Sequence, residues 1–430
     1  MFIIDTELAK REKIGQPIRV AMTGAGYMAR AIALQIVTGM KGMKLVAISN
    51  RTLAGAELAY RRAGVTSVCA VKSAAELAEA LERNDYAITD DATLLCEGEG
   101  IDAIIEATGE IEFGAQIAFL ALQNGKHLIS VNAQIDTAIG PILKVYADRA
   151  GVVFTNIDGD EPGVAMNLIR FIKTTGYEPV LAGNMKGFID PYRTPETQAA
   201  FAAKYNQKPR MITSFADGTK LSMETAILAN ATGFKVGKRG MFGPKCDHIA
   251  DVINYFTVEQ LLQGGLVDYT LGAAPNNGAF VVAYNEHPLK QEYMTYFKMG
   301  SGPLYVFYTP YHLPHLQLPL TVARAVLFND PTVTPQGAPS CEVISIAKRD
   351  LKAGETLDGL GGFTCYGLIE NSEICQAEKL LPIALSEDCR LKRDIAKDQA
   401  ISYADIDLPT GRLCDKLRAE QNAYFSNSTI

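Results

Sequence analysis

The sequence predicts an α/β protein whose N-terminal part is a doubly wound parallel sheet of the Rossmann type. Three observations predict it. Short apolar strands alternate with helices over residues 17–154, a glycine-rich turn follows the first strand, and the pattern changes after residue 160. Strands that alternate with helices of this length are typical of βαβ units, which build parallel sheets. An α+β second domain and a small C-terminal β domain are expected to follow.

Composition narrows the class of protein. The chain has 430 residues, of which 48% are hydrophobic, and this excludes a disordered or fibrous chain. Its net charge of −7 and the lack of a basic block disfavour a nucleic-acid partner. The charged N-terminus and the lack of a long apolar run predict neither a secretory signal nor a membrane segment. Eight cysteines without a C-x-x-C pair indicate reduced thiols, so a cytoplasmic location is expected.

The elements of the first domain, residues 1–160, follow one another regularly. Strands are predicted at 17–23, 43–49, 101–107, 126–130 and 152–154, and helices at 29–37, 53–63, 113–124 and 137–150, with polar helical segments over 73–97. A helix within 312–330 is expected to return to this domain. Residues 161–311 form the predicted substrate and catalytic domain. A Pro-rich linker over 331–339 leads to a β domain over 340–430, where residues 347–354 recur weakly as 391–398.

The turn after the first strand carries a dinucleotide-binding motif. Gly24 allows the tight turn, Gly26 lets the backbone approach a pyrophosphate, and Ala29 permits close helix–strand packing. Tyr27 and Met28 open the helix, whose N-terminus attracts phosphate. The alternative, a plain turn, is disfavoured by the βαβ elements that follow.

The ends of three later strands indicate where the cofactor binds. The second strand ends at Asn50 and Arg51 without the carboxylate that usually holds an NAD ribose, which favours NADP(H) over NAD(H). Arg51 could instead merely start the next helix. Thr108, Gly109 and Asn132 follow two other strands, where an open sheet places its ligand, although ordinary turn residues also occur there.

Three groups of charged residues lie beyond residue 157. Asp160 and Glu161 belong to the first, and they are weak candidates for metal ligands. The second contains Lys186 and Arg193, which could hold a substrate phosphate, and the third begins at Asp217, which could handle the proton together with Lys220 in a simple dehydrogenase. Glu161, Lys186 and Asp217 are candidate catalytic residues, and Asp160 and Arg193 are candidate substrate-binding residues.

Lys220 and Glu224 are spaced i, i+4, so a helix places both on one face. Such a pair is usually a solvated salt bridge, but the apolar helix around it favours a catalytic role. Burial would lower the pKa of Lys220 towards a range that is useful for moving a proton. His312 and His315 are interpreted as hydrogen-bonded packing residues, because no third metal ligand is evident.

These residues resemble the homoserine dehydrogenase-like oxidoreductases that carry a C-terminal SAF domain, including the 1-deoxy-D-xylulose 5-phosphate (DXP) reductoisomerase-like enzymes. The resemblance covers nearly the whole chain. The segments that carry it are GAGYMA (24–29), GDEP (159–162), DGTK (217–220), NATG (230–233), PYHL (310–313), AKRDLKAGETLDG (347–359) and LPI (381–383).

The resemblance implies an NADP-binding domain, a catalytic domain that also mediates dimerisation, and a small β-clip domain. A homodimer or homotetramer is therefore expected. The predicted function is NADP-dependent hydride transfer to or from a small hydroxy or oxo substrate, with Mg²⁺ or Mn²⁺ required in a reductoisomerase form. Homoserine dehydrogenase is a less favoured alternative, because Ala133 stands where those enzymes have a lysine. A second alternative is a regulatory or sugar-binding protein that binds NADP without turnover.

Overall fold

The N-terminal strands form a single parallel sheet, and the structure, a computed structural model, describes residues 3–426. The elements of this part are α1 (Ile3–Lys13), β1 (Ile18–Thr23), α2 (Tyr27–Gly39), β2 (Met43–Ser49), α3 (Leu53–Arg62), β3 (Cys69–Ala70), α4 (Ala74–Glu82), β4 (Ala87–Thr89), α5 (Thr93–Glu97), β5 (Ala103–Glu106), α6 (Ile111–Gln123), β6 (His127–Ser130), α7 (Ala133–Ala150) and β7 (Phe154–Asn156). Their order in the sheet is β3-β4-β2-β1-β5-β6-β7. The central strands are buried along nearly their whole length, as in parallel sheets covered by helices. The predicted fold class is confirmed.

Two details of this sheet differ from the sequence prediction. Residues 87–89, assigned to polar helical segments, form strand β4, which lies between β3 and β2. A strand of three residues is too short to show the period-two pattern that identifies strands in a sequence. The last strand begins at Phe154 rather than at residue 152.

The second part of the chain combines a mixed sheet with a buried helix. Its elements are α8 (Glu161–Thr174), β8 (Glu178–Lys186), α9 (Pro195–Lys204), α10 (Pro209–Ala216), α11 (Thr219–Thr232), a 3₁₀ helix (Ile249–Tyr255), α12 (Val258–Leu261), β9 (Leu266–Leu271), β10 (Ala279–Tyr284), α13 (Pro288–Tyr296) and β11 (Leu304–Thr309). The sheet order is β11-β10-β8-β9, with only β8 and β9 parallel. Helix α11 is buried on nearly every side, and most of its residues are apolar or small.

The remaining elements are α14 (Pro314–Phe328), β12 (Cys341–Ala347), β13 (Cys365–Asn371), α15 (Ser372–Ala377), β14 (Arg390–Leu391), β15 (Ile406–Asp407) and α16 (Leu413–Ser426). Strands β12 and β13 pair antiparallel over seven residues. The two copies of the weak repeat face each other, since Leu351 N donates to Ile395 O at 2.8 Å and Ile395 N donates to Leu351 O at 3.0 Å.

The chain divides into two units. Unit 1 comprises Met1–Gly159, Leu313–Thr334 and Arg412–Ile430, and unit 2 comprises Asp160–His312 and Pro335–Gly411. Helix α14 thus belongs to unit 1, where its return was expected. The C-terminal region, predicted as one domain, is divided here, because residues 335–411 group with unit 2 and helix α16 groups with unit 1.

The predicted Pro-rich linker is wrong for its first residues. Thr332 and Val333 are buried, and Thr332 N and Val333 N each donate to Thr155 Oγ1 at 3.0 Å. Val333 O accepts from Asn156 N at 2.8 Å. Residues 332–333 therefore extend the sheet edge at β7 instead of forming a free linker.

Helix α16 compensates for a proline inside helix α7. Pro141 interrupts the helix, and the side chain of Gln421 reaches into the break. Its Oε1 accepts from Ile142 N at 3.1 Å, and its Nε2 donates to Ala138 O at 3.3 Å. Gln421 thus satisfies the buried donor and shares the buried acceptor with Arg418 Nη1, which donates to Ala138 O at 3.1 Å.

The described residues contain neither a disulfide bond nor a helix that could span a membrane. All eight cysteines lie within residues 3–426, and each is a free thiol. No helix in that range is both long enough and apolar enough to cross a lipid bilayer.

Candidate active site

Unit 1 contains a helix N-terminus that is suited to phosphate. Gly24 has φ +98° and donates its N–H to Ser49 O at 2.8 Å, and a Cβ there would lie 2.8 Å from Ala107 O. Gly26 is the N-cap of α2, makes no side-chain cap, and would direct a Cβ into open space. Ala29 is buried in α2, whereas Tyr27 is exposed. The turn therefore leaves backbone donors free of side-chain competition beside an open space.

The predicted ribose-binding residues follow β2. Asn50 Nδ2 donates to Thr52 O at 3.0 Å, and Thr52 is the N-cap of α3. Arg51 is exposed, and no ion pair of Arg51 is found among residues 3–426. Its guanidinium is therefore available to an anion, and Thr52 rather than Arg51 caps the helix.

At the ends of β5 and β6, turn residues surround a buried carboxyl group that the sequence analysis missed. Glu106 Oε1 accepts from Thr108 N at 2.9 Å, while Glu106 Oε2 is buried and has no hydrogen-bond partner within the described chain. Burial raises the pKa of Glu106. Asn132 caps α7 and donates to Glu110 O at 3.0 Å, and Gln134 Nε2 donates to Gly109 O. A charged residue at the end of an apolar strand was the available signal for Glu106.

Unit 2 brings together five of the predicted residues in one cluster, called here the charged cluster: Asp160, Glu161, Lys186, Lys220 and Glu224. Asp160 and Glu161 lie at the N-terminus of α8, Lys186 ends β8, and Lys220 and Glu224 occupy the first two turns of α11. Lys186 Nζ pairs with Glu161 Oε1, and lies 3.4 Å from Glu224 Oε2. Lys220 Nζ lies 3.5 Å from Asp160 Oδ2 and 3.4 Å from Glu224 Oε1. Glu224 therefore bridges the two lysines.

The pKa values of the two glutamates of the charged cluster are shifted in opposite directions. Burial by itself raises the pKa of Glu161, but Lys186 and then His312 and Lys220 lower it to about 2. Burial, followed by the charge of Glu161, raises the pKa of Glu224 to about 8 despite Lys186 and Lys220. Three carboxyl groups face two ammonium groups, so a proton on Glu224 balances the charge. Neighbouring titratable groups whose pKa values are driven apart are typical of acid–base sites.

The prediction of a lowered pKa for Lys220 is wrong. Burial lowers that pKa, as expected, but Asp160, Glu224 and Glu161 outweigh burial and raise it above its ordinary value. The pKa of Lys186 is raised for the same reason, by Glu161 and Glu224 against burial. Both lysines are therefore held as ammonium ions.

Two predicted residues lie outside the charged cluster. The carboxylate of Asp217 pairs with Lys348 Nζ at 3.0 Å and accepts from Thr219 N at 2.9 Å, so it does not face Lys220. Arg193 pairs with Asp190 at 3.0 Å and lies over the ring of Phe188. The predicted partnership of Asp217 with Lys220 is thus replaced by one of Asp217 with Lys348.

Two residues that were not selected do join the charged cluster. Asn184 is fully buried, and its Nδ2 donates to Glu224 Oε2 at 3.1 Å. It lies two residues before Lys186 on β8, so the period-two rule was the available signal. His312 Nδ1 lies 3.7 Å from Glu161 Oε1 and, among the described residues, has no hydrogen-bond partner. His312 therefore lies beside Glu161 of the charged cluster, and in the described part of the chain its Nδ1 lacks the hydrogen bond expected of a packing histidine.

The carboxyl groups of the charged cluster also form a set of potential metal ligands. One oxygen each from Asp160, Glu161 and Glu224 lie within 4.8 Å of one another. Oxygen donors of this kind are preferred by Mg²⁺ and Mn²⁺. The two ammonium groups would have to move aside for such an ion.

One segment of the chain is similar to a known protein family. Residues 159–318 match the family model described as the catalytic domain of oxidoreductase DRL. The match contains every residue of the charged cluster, together with Asn184 and His312. This segment is therefore similar to the catalytic domain of an oxidoreductase, the class of enzyme that the sequence analysis expects. No curated protein matches the chain.

Solved structures provide three further comparisons. A probable dehydrogenase from Thermotoga maritima is 12% identical over 74% of this chain and 90% of its own, with a TM-score of 0.40. The myo-inositol dehydrogenase of Lactobacillus casei, solved with NAD(H) and myo-inositol, is 14% identical over 69% and 75%, with a TM-score of 0.37. Biliverdin reductase from Synechocystis sp. PCC 6803, solved with biliverdin and NADP⁺, is 21% identical over 40% and 48%, with a TM-score of 0.26. The chain spans less than half of the length of this reductase and of other structures that it matches.

Proposed function

We propose that the protein is an NADP(H)-dependent oxidoreductase that transfers hydride to or from a small hydroxy or oxo compound. The observation that carries this proposal is the charged cluster, which lies within the segment that matches an oxidoreductase catalytic domain. A compact substrate with several oxygen atoms, such as a phosphorylated sugar, is the class that two fixed ammonium groups would bind.

The residues around α2 fit a dinucleotide. The open space in front of Gly26 and the uncapped helix N-terminus suit a pyrophosphate, and the exposed Arg51 suits a 2′-phosphate. When bound, the nicotinamide supplies or accepts the hydride. The protein residues then have to bind the substrate and move one proton.

The lysines and the glutamates of the charged cluster differ in how far their side chains are exposed. The side chains of Lys186 and Lys220 are 24% and 16% exposed, whereas those of Glu161 and Glu224 are 2% and 3% exposed. A substrate can therefore reach the ammonium groups but not the glutamates behind them. We assign to Lys220 the donation of a proton to the carbonyl oxygen during reduction, and to Lys186 the orientation of a second oxygen.

Glu224 can restore the proton that Lys220 gives away. Its Oε1 lies 3.4 Å from Lys220 Nζ, and a pKa of about 8 keeps it protonated at neutral pH. In the oxidation direction the same pair takes the proton from the alcohol. Glu161, with its pKa lowered to about 2, remains ionised and anchors Lys186.

A metal-dependent reductoisomerase is the second candidate, and the three converging carboxyl groups favour it. Asp160, Glu161 and Glu224 would then hold a divalent ion, which polarises a carbonyl oxygen when bound. Lys220 would retain its role as the proton donor.

The test follows NADPH absorbance with DXP as the substrate, with and without Mg²⁺ or Mn²⁺, for the wild type and Lys220→Ala. Oxidation that requires metal and is lost in Lys220→Ala supports the reductoisomerase. Lys235→Ala, which removes an exposed lysine paired with Glu373, is the matched control and should retain activity.

Other outcomes identify the alternatives. Metal-independent turnover of a screened hydroxy acid or sugar supports a simple dehydrogenase, and turnover of homoserine would identify that dehydrogenase. Tight NADPH binding with no oxidation by any of these compounds would refute turnover and favour a regulatory protein.

A further inference from the structure

A buried lysine from residues 335–411 lies at the start of helix α11. Lys348 Nζ donates to Asp217 Oδ2 at 3.0 Å, to Gly362 O at 2.9 Å and to Arg193 O at 2.8 Å. The side chains of Lys348 and Asp217 are 3% and 0% exposed. Because an ammonium group has three donors and all three are used, Lys348 is held in one position.

The carboxylate of Asp217 connects Lys348 to Thr219, the first residue of α11. Its Oδ2 is bound by Lys348, and its Oδ1 accepts from Thr219 N at 2.9 Å. Gly218 between them has φ +84°, a conformation that glycine adopts without strain. The next residue along the helix is Lys220, so the carboxylate of Asp217 links Lys348 to the turn that carries Lys220.

Strand β13 holds the same turn independently. Gly367 N donates to Thr219 Oγ1 at 2.8 Å, and Ser222 Oγ donates to Gly367 O at 3.1 Å. A Cβ at position 367 would lie 2.8 Å from Thr219 Cγ2, so only glycine permits this approach. At the far end of α11, Asn230 Oδ1 accepts from the backbone N–H groups of residues 340 and 341.

We propose that Lys348 is a positioning residue for catalysis, which acts through Asp217 to fix Lys220 within the charged cluster. This inference rests on the function proposed above for Lys220. The segment 335–411 is then part of the catalytic unit, rather than an appendage to it. Since Lys220 Nζ contacts its carboxylates at 3.4 and 3.5 Å, a shift of about 1 Å at the helix start would be enough to impair catalysis.

A purely structural role would give a different result. A buried ion pair is weak evidence for stability, and replacing both partners by apolar residues of similar shape is often harmless to folding. The double variant Asp217→Leu/Lys348→Met removes the pair while keeping its shape. It should recover much of the stability that Lys348→Met loses, yet it cannot restore the restraint on Lys220.

The experiment measures the reactivity of Lys220 in the full chain. Competitive labelling with acetic anhydride at one fixed pH of about 9, read by mass spectrometry, gives the rate at which Lys220 is acetylated relative to exposed lysines, without any substrate. The variants are Lys348→Met and the double variant. The control is Arg239→Met, which likewise leaves a buried carboxylate, that of Glu370, without its 2.7 Å ion pair to Arg239, but alters none of the hydrogen bonds that link Lys348 through Asp217 to Thr219.

In both test variants we expect Lys220 to be acetylated about tenfold faster or more than in the wild type, because Lys220 loses its fixed contacts with the carboxylates. Turnover should fall tenfold or more, mainly in kcat. Arg239→Met should change neither. A wild-type acetylation rate in the folded double variant would overturn the inference. A raised acetylation rate in a protein that oxidises no NADPH would refute the proposed function, while the effect of Lys348 on the position of Lys220 would still hold.

Discussion

Replacing Glu224 by glutamine should change the dependence of stability on pH. The pKa of Glu224 is raised from 4.5 to about 8 in the folded chain, so the folded state keeps a proton that the unfolded state loses. The contribution of Glu224 to the free energy of unfolding is therefore fully present below pH 4.5. It falls as the pH rises and is lost above about pH 8. Glutamine does not titrate, so the variant lacks this loss.

The expected difference is about 2 kcal/mol between pH 5.5 and 7.5, since one proton corresponds to about 1.4 kcal/mol per pH unit. The assay is urea unfolding followed by circular dichroism at the two pH values. The free energy of unfolding of Glu224→Gln, relative to wild type, should rise by that amount from the lower pH to the higher.

A matched control separates this effect from the general cost of altering a buried carboxyl group. Asp405 is also buried and paired, and its burial is outweighed by hydrogen bonds from Ser402 and Arg393, which lower its pKa. Asp405→Asn should therefore keep the pH dependence of the wild type between about pH 5.5 and 7.5. If Glu224→Gln and the wild type lose stability in parallel across this range, the inference that Glu224 is protonated in the folded chain is refuted. Lys220 would then have no proton reservoir behind it.

Three further predictions concern unit 1. Arg51→Ala should raise the KM for NADPH about 10- to 100-fold and leave that for NADH unchanged, because only NADPH carries the 2′-phosphate; equal changes in steady-state assays would contradict this role. Gly24→Ala should abolish NADPH binding in fluorescence titrations, because its Cβ would meet Ala107 O at 2.8 Å and φ is +98°; retained affinity would exclude the tight-turn requirement. Gln421→Leu should lower the free energy of unfolding by about 1–3 kcal/mol, because Ile142 N loses its acceptor, and an unchanged urea midpoint would show that water replaces Gln421.

Much of the fold could be predicted from the sequence, because it depends on local pattern. The alternation of strands and helices, the glycine turn at residues 24–29 and the i, i+4 spacing of Lys220 and Glu224 are short-range properties, and the structure has all three. The weak repeat also predicted a real relation, since Leu351 and Ile395 pair with each other. Strand β4 escaped prediction because three residues hold too little pattern.

The candidate site needed the tertiary structure. Its residues come from α8, β8 and α11, and only their packing shows that Glu224 lies between Lys186 and Lys220. The sign of the pKa shift of Lys220 was wrong in the sequence analysis because burial can be guessed from an apolar helix, whereas three facing carboxylates cannot.

The ion-pair partner of Asp217 also could not be predicted from the sequence. Sequence placed Asp217 three residues before Lys220, but Lys348 is 131 residues away along the chain and still binds it at 3.0 Å. Local spacing therefore determined which residues share a helix or a turn. The protonation of the charged cluster and the partner of Asp217 were decided by packing, because electrostatic energy depends on distance and burial in space rather than on separation along the chain.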